Sequence, residues 1–430
     1  MSRFIAALLA ATGCAGVAAA QPPQSVSAPS SVSAEAPLTL EDALAAARAR
    51  SPGIEAADAG IRATSAARVI AGLRPNPSIQ AETENVAGTG AYRGLSSAET
   101  TVGVALPIEL GGKRSARIGV ADARSARARI QAATALADLE LQVTQTYIEA
   151  AAAERRLVVA REQAAIAGEA LRVATERVMV GATFPIDQQR SEVLAINART
   201  AADRAERNVQ LSRGNLGRLI GRPITGPLDL AWFDRVGGFG PAVPARSDGT
   251  LALAAATADV ATADAQVRLA RSQRIPDVTV SASARRLEAT NDVAAVFGVS
   301  IPLPVFNNGR AAIAQASAER DQFAAQRRLA RFEAEQAIAA AEAEVANAAA
   351  TARAAGGPAL AAAQESARIA RIGYGQGKFG QLELLDAERT LSETRAASTD
   401  ALAAYHDAQA RLLRLTSLAP ADLQIPGDNR

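Results

Sequence analysis

The segment "VGVALPIELGGKRSARI", residues 102–118, is the most informative about the fold, because it joins an alternating pattern to a helical one. Apolar residues occupy every second position from Val102 to Leu106, as in a β-strand with one apolar face. Pro107 lacks an N–H donor and is predicted to end this strand. A pair of glycines then suits a turn, and a long proline-free segment predicts a helix.

The glycines before Lys113 also suggest a phosphate-binding loop. Such a loop needs a glycine five positions before its Gly-Lys pair, and Ser or Thr directly after the lysine. Pro107 occupies the first of these positions and Arg114 the second. The stretch is therefore interpreted as a strand-to-helix turn, and no phosphate site is expected.

The same pattern occurs twice. Residues 102–118 correspond to "FGVSIPLPVFNNGRAAI" at 297–313, about 200 positions later. Two further pairs recur in the same order: "LRPNPSIQAETEN" (73–85) with "QRIPDVTVSASAR" (273–285), and "VMVGATFPIDQQRSE" (178–192) with "YGQGKFGQLELLDAE" (374–388). These matches indicate one duplicated unit of short helix, two strands, long helix and shorter helix.

The strands of the second unit alternate like those of the first. Phe297, Val299 and Ile301 lie on one face, with Gly298 and Ser300 on the other. A barrel wall between lipid and water requires this alternation. A soluble, half-buried sheet shows it as well.

The helical segments are longer than a globular domain needs. From Arg114 to Val180 a seven-residue spacing connects residues such as Leu136, Val143 and Ala150, and the many alanines allow close helix packing. About 65 residues at 1.5 Å each form a rod of roughly 100 Å. Shorter helices are predicted near 40–72, 185–219, 249–272 and 380–417. Their summed lengths suggest a helical cylinder in which stacked half-length helices alternate with single long ones.

Composition excludes most site chemistry. Cys14 and His406 are the only cysteine and the only histidine, so one chain cannot assemble a Cys/His metal cluster or a histidine-based triad. The 46 basic and 44 acidic residues balance, which gives no electrostatic reason to expect nucleic-acid binding. We expect no enzyme activity, catalytic residue, cofactor or bound metal.

The N-terminus is predicted to be a signal peptide. Arg3 precedes an apolar run, and Ala18 and Ala20 suit cleavage before Gln21. Alternatively, "ATGC" approximates a lipoprotein cleavage site, which would leave Cys14 lipidated. Both interpretations predict export.

Strands are the predicted means of crossing a membrane. No later stretch reaches the roughly 18 apolar residues of a membrane helix. Four strands per chain cannot close a barrel, and open sheet edges are not tolerated in lipid. Several chains must therefore contribute, and three would supply twelve strands.

These features resemble the TolC-like outer-membrane efflux factor family over residues 38–417, through "RPNPSIQAETEN", "LPIELGGKRSARI" and "GYGQGKFGQLELLDAERT". The same motifs most resemble its CzcC-like branch, which is associated with heavy-metal efflux. The resemblance implies a mainly α fold with a membrane β-barrel. Members are homotrimers with a twelve-stranded barrel in the outer membrane of Gram-negative bacteria and a periplasmic α-helical tunnel.

The implied function is a passive conduit of an RND-type tripartite efflux system. It would contact outer-membrane lipid and dock, through a periplasmic adaptor (membrane fusion protein), onto an inner-membrane RND pump. Heavy-metal cations are the expected cargo, and drugs or other small molecules are the alternative. A periplasmic coiled-coil adaptor is a second alternative, but it would lack duplicated lipid-facing strands.

The predicted organisation follows the repeats. It comprises a signal peptide (1–20), a flexible segment (21–37), a first efflux repeat (38–220), a linker around the tunnel waist (221–248), a second repeat (249–417) and a C-terminal tail (418–430). Within the second repeat, Gly356-Gly357-Pro358 interrupts the long helix and is predicted to kink it. This is interpreted either as a bend in the tunnel wall or as a tolerated break.

The resemblance places candidate sites at both ends of the long helices. The family's Y-x-x-G turn appears at Tyr374–Gly377, and more weakly at Val178–Gly181, where a glycine permits tight reversal. The predicted adaptor-contacting tips comprise Val178, Gly181, Pro185, Tyr374, Gly377 and Lys378. The predicted periplasmic aperture comprises Asp187, Glu383 and Asp386, with Arg190 where the first repeat lacks its second acid. Ordinary αα-hairpins and solvated acids near helix starts are the alternatives.

The opposite ends are predicted to form the barrel-to-tunnel turns, with their basic residues near lipid headgroups. These turns comprise Pro107, Gly111, Gly112, Lys113, Arg114, Pro302, Asn308, Gly309 and Arg310.

Overall fold

The computed structural model describes residues 36–237 and 246–421. Within them the chain is mainly helical and holds one four-stranded antiparallel sheet, which confirms the predicted fold class. None of the helices in these ranges is long and apolar enough to cross a membrane. The predicted signal peptide and Cys14 lie outside the described residues.

The first repeat begins with two helices where the sequence predicted one. Its elements are α1 (Leu40–Arg50), α2 (Pro52–Ala71), β1 (Ser78–Glu84), β2 (Glu99–Ile108), α3 (Lys113–Met179) and α4 (Pro185–Ile220), with a short 3₁₀ turn at Gly90–Tyr92. The continuous helix predicted near 40–72 is wrong, because the Ser51 side chain accepts a hydrogen bond from the Ile54 N–H and caps a new helix. Pro52 occupies the first helical position, where a missing N–H is tolerated.

The second repeat follows a similar order, with one helix before its strands and its long helix divided in two. Its elements are α5 (Leu251–Ser272), β3 (Val278–Leu287), β4 (Asp292–Ser300), α6 (Arg310–Ala354), α7 (Leu360–Gly375) and α8 (Gln381–Leu415). Five residues of π-helix, Ala355–Ala359, join α6 to α7 and contain Pro358. The predicted interruption is therefore a locally widened turn through which the helix continues.

The sheet has the order β1-β2-β3-β4, so each repeat supplies one hairpin and the hairpins meet at β2 and β3. The prediction that Pro107 ends its strand is wrong, because β2 continues to Ile108 and Pro107 pairs with Thr279. On the other side β1 reaches only to Ser78, opposite Ala105. With a partner strand on one side only, the position resembles a sheet edge, where proline is tolerated.

The two faces of the sheet differ in polarity. The apolar and exposed side chains of one face include Ile79, Val102, Val104, Leu106, Val280, Phe297 and Val299. The register puts Gln80, Glu82, Thr101, Ser281, Ser283 and Arg285 on the other face. The predicted alternation is confirmed, and an exposed apolar face of this kind marks an interaction surface.

The long helix α3 organises the helical part. It packs against α2 and α4 of its own repeat, and against α5 and α8 of the second. Val143 and Ala150 of the predicted heptad seam are fully buried, whereas Leu136, Leu157 and Leu171 are partly exposed. The seam therefore describes part of the packing, since α3 has neighbours on several sides.

The linker between the repeats packs against the middle of α3. Tyr147 is fully buried, and its hydroxyl lies 2.8 Å from the Leu38 carbonyl oxygen and 2.9 Å from that of Asp229. Trp232 meets the Tyr147 ring edge-on, with 6.0 Å between centroids. These contacts fix the described part of the linker to the middle of the helices. The sheet and the hairpin tips lie at the opposite ends of α3.

Candidate functional site

The first-repeat turn between the sheet and the helices packs on the end of α5. Gly111 and Gly112 both have φ in the left-handed region, at 70° and 72°. A Cβ atom on Gly111 would lie 2.8 Å from the Ile275 Cβ. Any side chain at Gly111 would therefore combine backbone strain with a clash.

The basic residues of this turn are bound within the chain. Lys113 donates to Asp277 at 2.7 Å, and the Leu110 N–H donates to the same carboxylate oxygen at 3.2 Å. Partial burial raises the pKa of Asp277, but the hydrogen bonds from Lys113 and Leu110 outweigh it, and the net shift is downward. Arg114 donates to the Gly72 carbonyl at 2.6 Å. Both side chains, those of Lys113 and Arg114, therefore form hydrogen bonds that join α3 to other parts of the chain.

A neighbouring arginine, which the sequence did not single out, completes this junction. Arg117 donates to Glu109 at 3.0 Å and to the carbonyls of Ala71 and Leu73 at 3.3 and 3.1 Å. The hydrogen bond from Arg117 lowers the pKa of Glu109 against a smaller opposing effect of burial. One guanidinium therefore ties the end of α2 to the end of β2 and the start of α3.

The second-repeat turn is more exposed. β4 ends at Ser300, two residues before Pro302, and the apolar segment 301–306 that follows is exposed. The Asn308 side chain accepts from the Arg310 N–H at 3.1 Å, and Gly309 has φ of 74°. This turn thus leads into the start of α6, with Gly309 before that helix as Gly112 is before α3.

At the opposite end, both hairpin tips close by the same backbone motif. Gly181 and Gly377 have φ of 73° and 72°. The N–H of the next residue reaches five residues back in each tip, from Ala182 to Arg177 and from Lys378 to Gly373, at 2.8 Å. This is a Schellman-type helix end, which requires a left-handed residue. Pro185 then opens α4 at its first position.

The two tips contact each other within one chain. The Arg177 guanidinium lies 4.5 Å from the centroid of the Tyr374 ring, a cation–π distance. Gln381, at the start of α8, donates a hydrogen bond to the buried Ser191 of α4. Val178 follows Arg177 in the sequence, and Lys378 lies between Tyr374 and Gln381. These two contacts join the turn regions of the two hairpins.

The three predicted aperture acids have different surroundings. Asp187 accepts a hydrogen bond from Thr183 and lies 4.0 Å from Arg190, so its charge is partly balanced. Glu383 and Asp386 are exposed on the first turns of α8.

A groove of about 1010 Å³ lies among α3, α4 and α8 behind the tips. Exposed Ile186, Val193 and Leu382 line it, together with Asp386. At its base Glu388 is 2% exposed and accepts from Arg371 of α7 at 2.8 Å. This ion pair between a half-exposed guanidinium and a buried carboxylate fixes α7 against α8 and was not predicted from the sequence.

The only histidine of the chain lies at mid-height of the helices. His406 is 3% exposed, and its Nε2 atom lies 2.9 Å from the Phe233 carbonyl oxygen. Its ring stacks on Trp232 with 4.2 Å between centroids. Burial lowers the pKa of His406, and the Phe233 carbonyl and Asp234 oppose the shift without reversing it. The imidazole thus serves as a packed core residue.

Comparison with known proteins finds one family model at two places along the chain. The family model described as "Outer membrane efflux protein" matches residues 43–222 and 248–417. The cobalt-zinc-cadmium resistance protein CzcC of Cupriavidus metallidurans is 30% identical over 375 residues, or 84% of this chain and 86% of the relative. The nickel and cobalt resistance protein CnrC of the same organism is 34% identical over 295 residues, or 68% of each chain.

Solved structures share the fold. A membrane protein from Pseudomonas aeruginosa superposes with a TM-score of 0.74 at 20% identity, over 88% of this chain and 90% of that one. The outer membrane protein VceC of Vibrio cholerae gives a TM-score of 0.72 at 19% identity, over 88% and 96%. These comparisons confirm the resemblance inferred from the sequence, with its outer-membrane location and efflux function. The chain belongs to the outer membrane efflux protein family.

Proposed function

We propose that three copies of this chain form the outer-membrane conduit of a tripartite efflux assembly that exports divalent heavy-metal cations. The observation that carries the proposal is the sheet, with its exposed apolar face, its polar face and its two edge strands from different repeats. Open edges in lipid leave backbone groups unsatisfied. Pairing β4 of each copy with β1 of the next removes these edges and closes a barrel of twelve strands.

The helices continue this pore away from the membrane. α3 has 67 residues, or about 100 Å at 1.5 Å per residue. The sheet and the hairpin tips lie at its opposite ends, so a ring of such helices forms a tunnel that the tips open or close. Such a conduit is passive, and the choice of cargo belongs to the pump.

The tips act as the periplasmic entrance. Exposed Glu383 and Asp386 from three copies form carboxylate rings, and such rings attract cations. In the first repeat Arg190 offsets Asp187, so α8 supplies most of the negative charge. Cations delivered by a pump enter such an aperture more readily than anions do.

The same end docks the rest of the assembly. A periplasmic adaptor contacts both tips and inserts helices beside α4 and α8, where exposed Ile186, Val193 and Leu382 offer an apolar groove. An amphipathic helix that lays its apolar stripe in such a groove is a common recognition mode. The adaptor connects the conduit to an inner-membrane RND pump.

The cargo follows from the relatives. CzcC and CnrC are resistance proteins for cobalt, zinc and cadmium and for nickel and cobalt, and this chain is at least 30% identical to both. Divalent cations of this group are therefore the proposed substrates.

Deletion of the gene tests this function. Tolerance to zinc, cobalt, nickel, cadmium and a set of drugs is measured in the deletion strain, with and without a plasmid copy. Metal sensitivity that the plasmid reverses, with unchanged drug tolerance, supports the proposal. Sensitivity to drugs alone would replace the cargo with small organic molecules, and unchanged tolerance to every compound would contradict a role in efflux of these substrates.

A further inference from the structure

The polar face of the sheet carries an ion cluster at the end away from the helices. Arg285 lies two residues before the end of β3. Its guanidinium donates to Glu99 at 2.8 Å and to the Thr101 hydroxyl at 3.0 Å, and it lies 3.3 Å from the Glu84 carboxylate. The cluster therefore joins β1, β2 and β3, and with them the hairpins of both repeats.

The register explains why an arginine is needed here. Glu84 and Glu99 lie directly opposite each other in the β1–β2 pair, and like charges in this relation destabilise a sheet. Arg285 contacts both carboxylates at once through separate nitrogens. A guanidinium, with its forked donors, is suited to hold two acceptors in this way.

The charge balance of this face depends on the same residue. Among the four described strands, the register puts four carboxylates on the polar face, those of Glu82, Glu84, Glu99 and Asp292. Arg285 is the single basic residue of the strands on that face. Its loss would remove all positive charge from the strands' polar face.

We propose that Arg285 sets the ion selectivity of the outer end of the channel by neutralising Glu84 and Glu99 and holding both carboxylates against the wall. This inference rests on the proposed function, which turns the polar face toward a water-filled lumen. Without the guanidinium, the two carboxylates repel each other and extend into the lumen in every copy. Rings of uncompensated carboxylates raise the preference of a pore for cations.

The next residue along the strand offers a matched control. Arg286 is exposed on the opposite, lipid-side face and contacts Glu288 and Asn291, each at 3.2 Å. Replacing Arg285 or Arg286 by glutamine therefore removes the same charge from adjacent positions. Only the first change alters the face that the proposal assigns to the lumen.

The experiment measures reversal potentials in planar bilayers under a potassium chloride gradient, for the purified wild type, Arg285→Gln and Arg286→Gln. We expect Arg285→Gln to shift the reversal potential toward that of potassium, whereas Arg286→Gln leaves it unchanged. The double variant Arg285→Gln/Glu99→Gln should return it toward the wild-type value, because the cluster regains its original net charge. Such a return would also show that the lost charge, and not a misfolded sheet, causes the shift in Arg285→Gln.

Two results would overturn the inference: a reversal potential of Arg285→Gln equal to that of the wild type, or equal shifts in both single variants. Failure of the purified wild type to insert into bilayers would instead contradict the proposed membrane conduit itself, so the two failures are distinguishable.

Discussion

His406 connects the stability of the helical part to pH. Its pKa is lowered in the folded chain because burial disfavours the charged imidazole. The stability that the neutral ring contributes is fully present above the unfolded-state pKa, about 6.5. It is lost as the pH falls through the lower pKa of the folded state, since the unfolded chain then binds the extra proton more readily.

We expect His406→Gln to weaken this acid sensitivity. The glutamine amide can still donate to the Phe233 carbonyl, which His406 contacts at 2.9 Å, but it does not titrate. The melting temperature, followed by helical circular dichroism, should fall less between about pH 7 and pH 5 in the variant than in the wild type. Parallel pH profiles for the two proteins would show that the imidazole stays uncharged or contributes nothing.

The acids proposed to line the aperture give a second prediction. Neutralising Glu383 and Asp386 together should lower the cation selectivity of the open channel, because carboxylate rings attract cations. Glu365→Gln is the control, since this exposed acid of α7 is already paired with Arg368 at 2.7 Å. Single-channel recordings in bilayers measure the effect. Cation selectivity that survives the double change would remove both acids from the aperture.

Individual contacts were the hardest feature to predict from the sequence. The tip glycines could be predicted because a helix reversal needs a left-handed residue, and Glu383 and Asp386 could be predicted from the family resemblance. The contact of Arg177 with Tyr374 and the bond of Gln381 to Ser191 were not. Such pairs join residues almost 200 positions apart and leave no local pattern.

At the scale of elements, period and proline placement predicted most of the fold. Alternation is a local signal of one apolar face, and it predicted both strand pairs. Two predictions were wrong, the continuous helix near 40–72 and the strand end at Pro107, because the effect of a residue there depends on the residues around it. Ser51 and Pro52 start a new helix in the middle of an apolar pattern, and Pro107 is tolerated because β1 ends before it.

Two glycines of the long helical segments test their packing. Gly168 in the interior of α3 has open space where a Cβ atom would lie, whereas a Cβ atom on Gly373 would overlap the Phe379 ring. We expect Gly168→Ala to stabilise the helix by about 0.5–1 kcal/mol, the usual gain from alanine over glycine. Gly373→Ala should instead lower the melting temperature, because Phe379 must leave its place at the tip. Equal stabilisation by both changes would show that Phe379 does not depend on Gly373.

At the scale of the whole molecule, the duplication explains why one chain is not enough. Each repeat supplies a hairpin and a long helix, and the hairpins meet at β2 and β3. The equivalent meeting of β4 with β1 does not occur within one chain, where these strands are the two edges of the sheet, so it needs another copy. The sequence predicted this requirement from the strand count. The sequence could not predict the residue pairing between β4 of one copy and β1 of the next, because no local pattern in a single chain encodes that register.

Proline substitutions at adjacent positions of β4 test the pairing of this strand with β1 of another copy. In an antiparallel strand, neighbouring N–H groups point to opposite sides, so of Ala294 and Ala295 one faces β3 and the other faces the outer edge. A free edge tolerates proline at the outward-facing position, whereas an edge that pairs with another copy tolerates it at neither. We therefore expect both Ala294→Pro and Ala295→Pro to abolish the trimer, measured as the protein mass in detergent by light scattering. Circular dichroism should show unchanged helix content, which controls for general misfolding. A trimer that persists in either variant would mean that β4 is not the strand through which copies of this chain join.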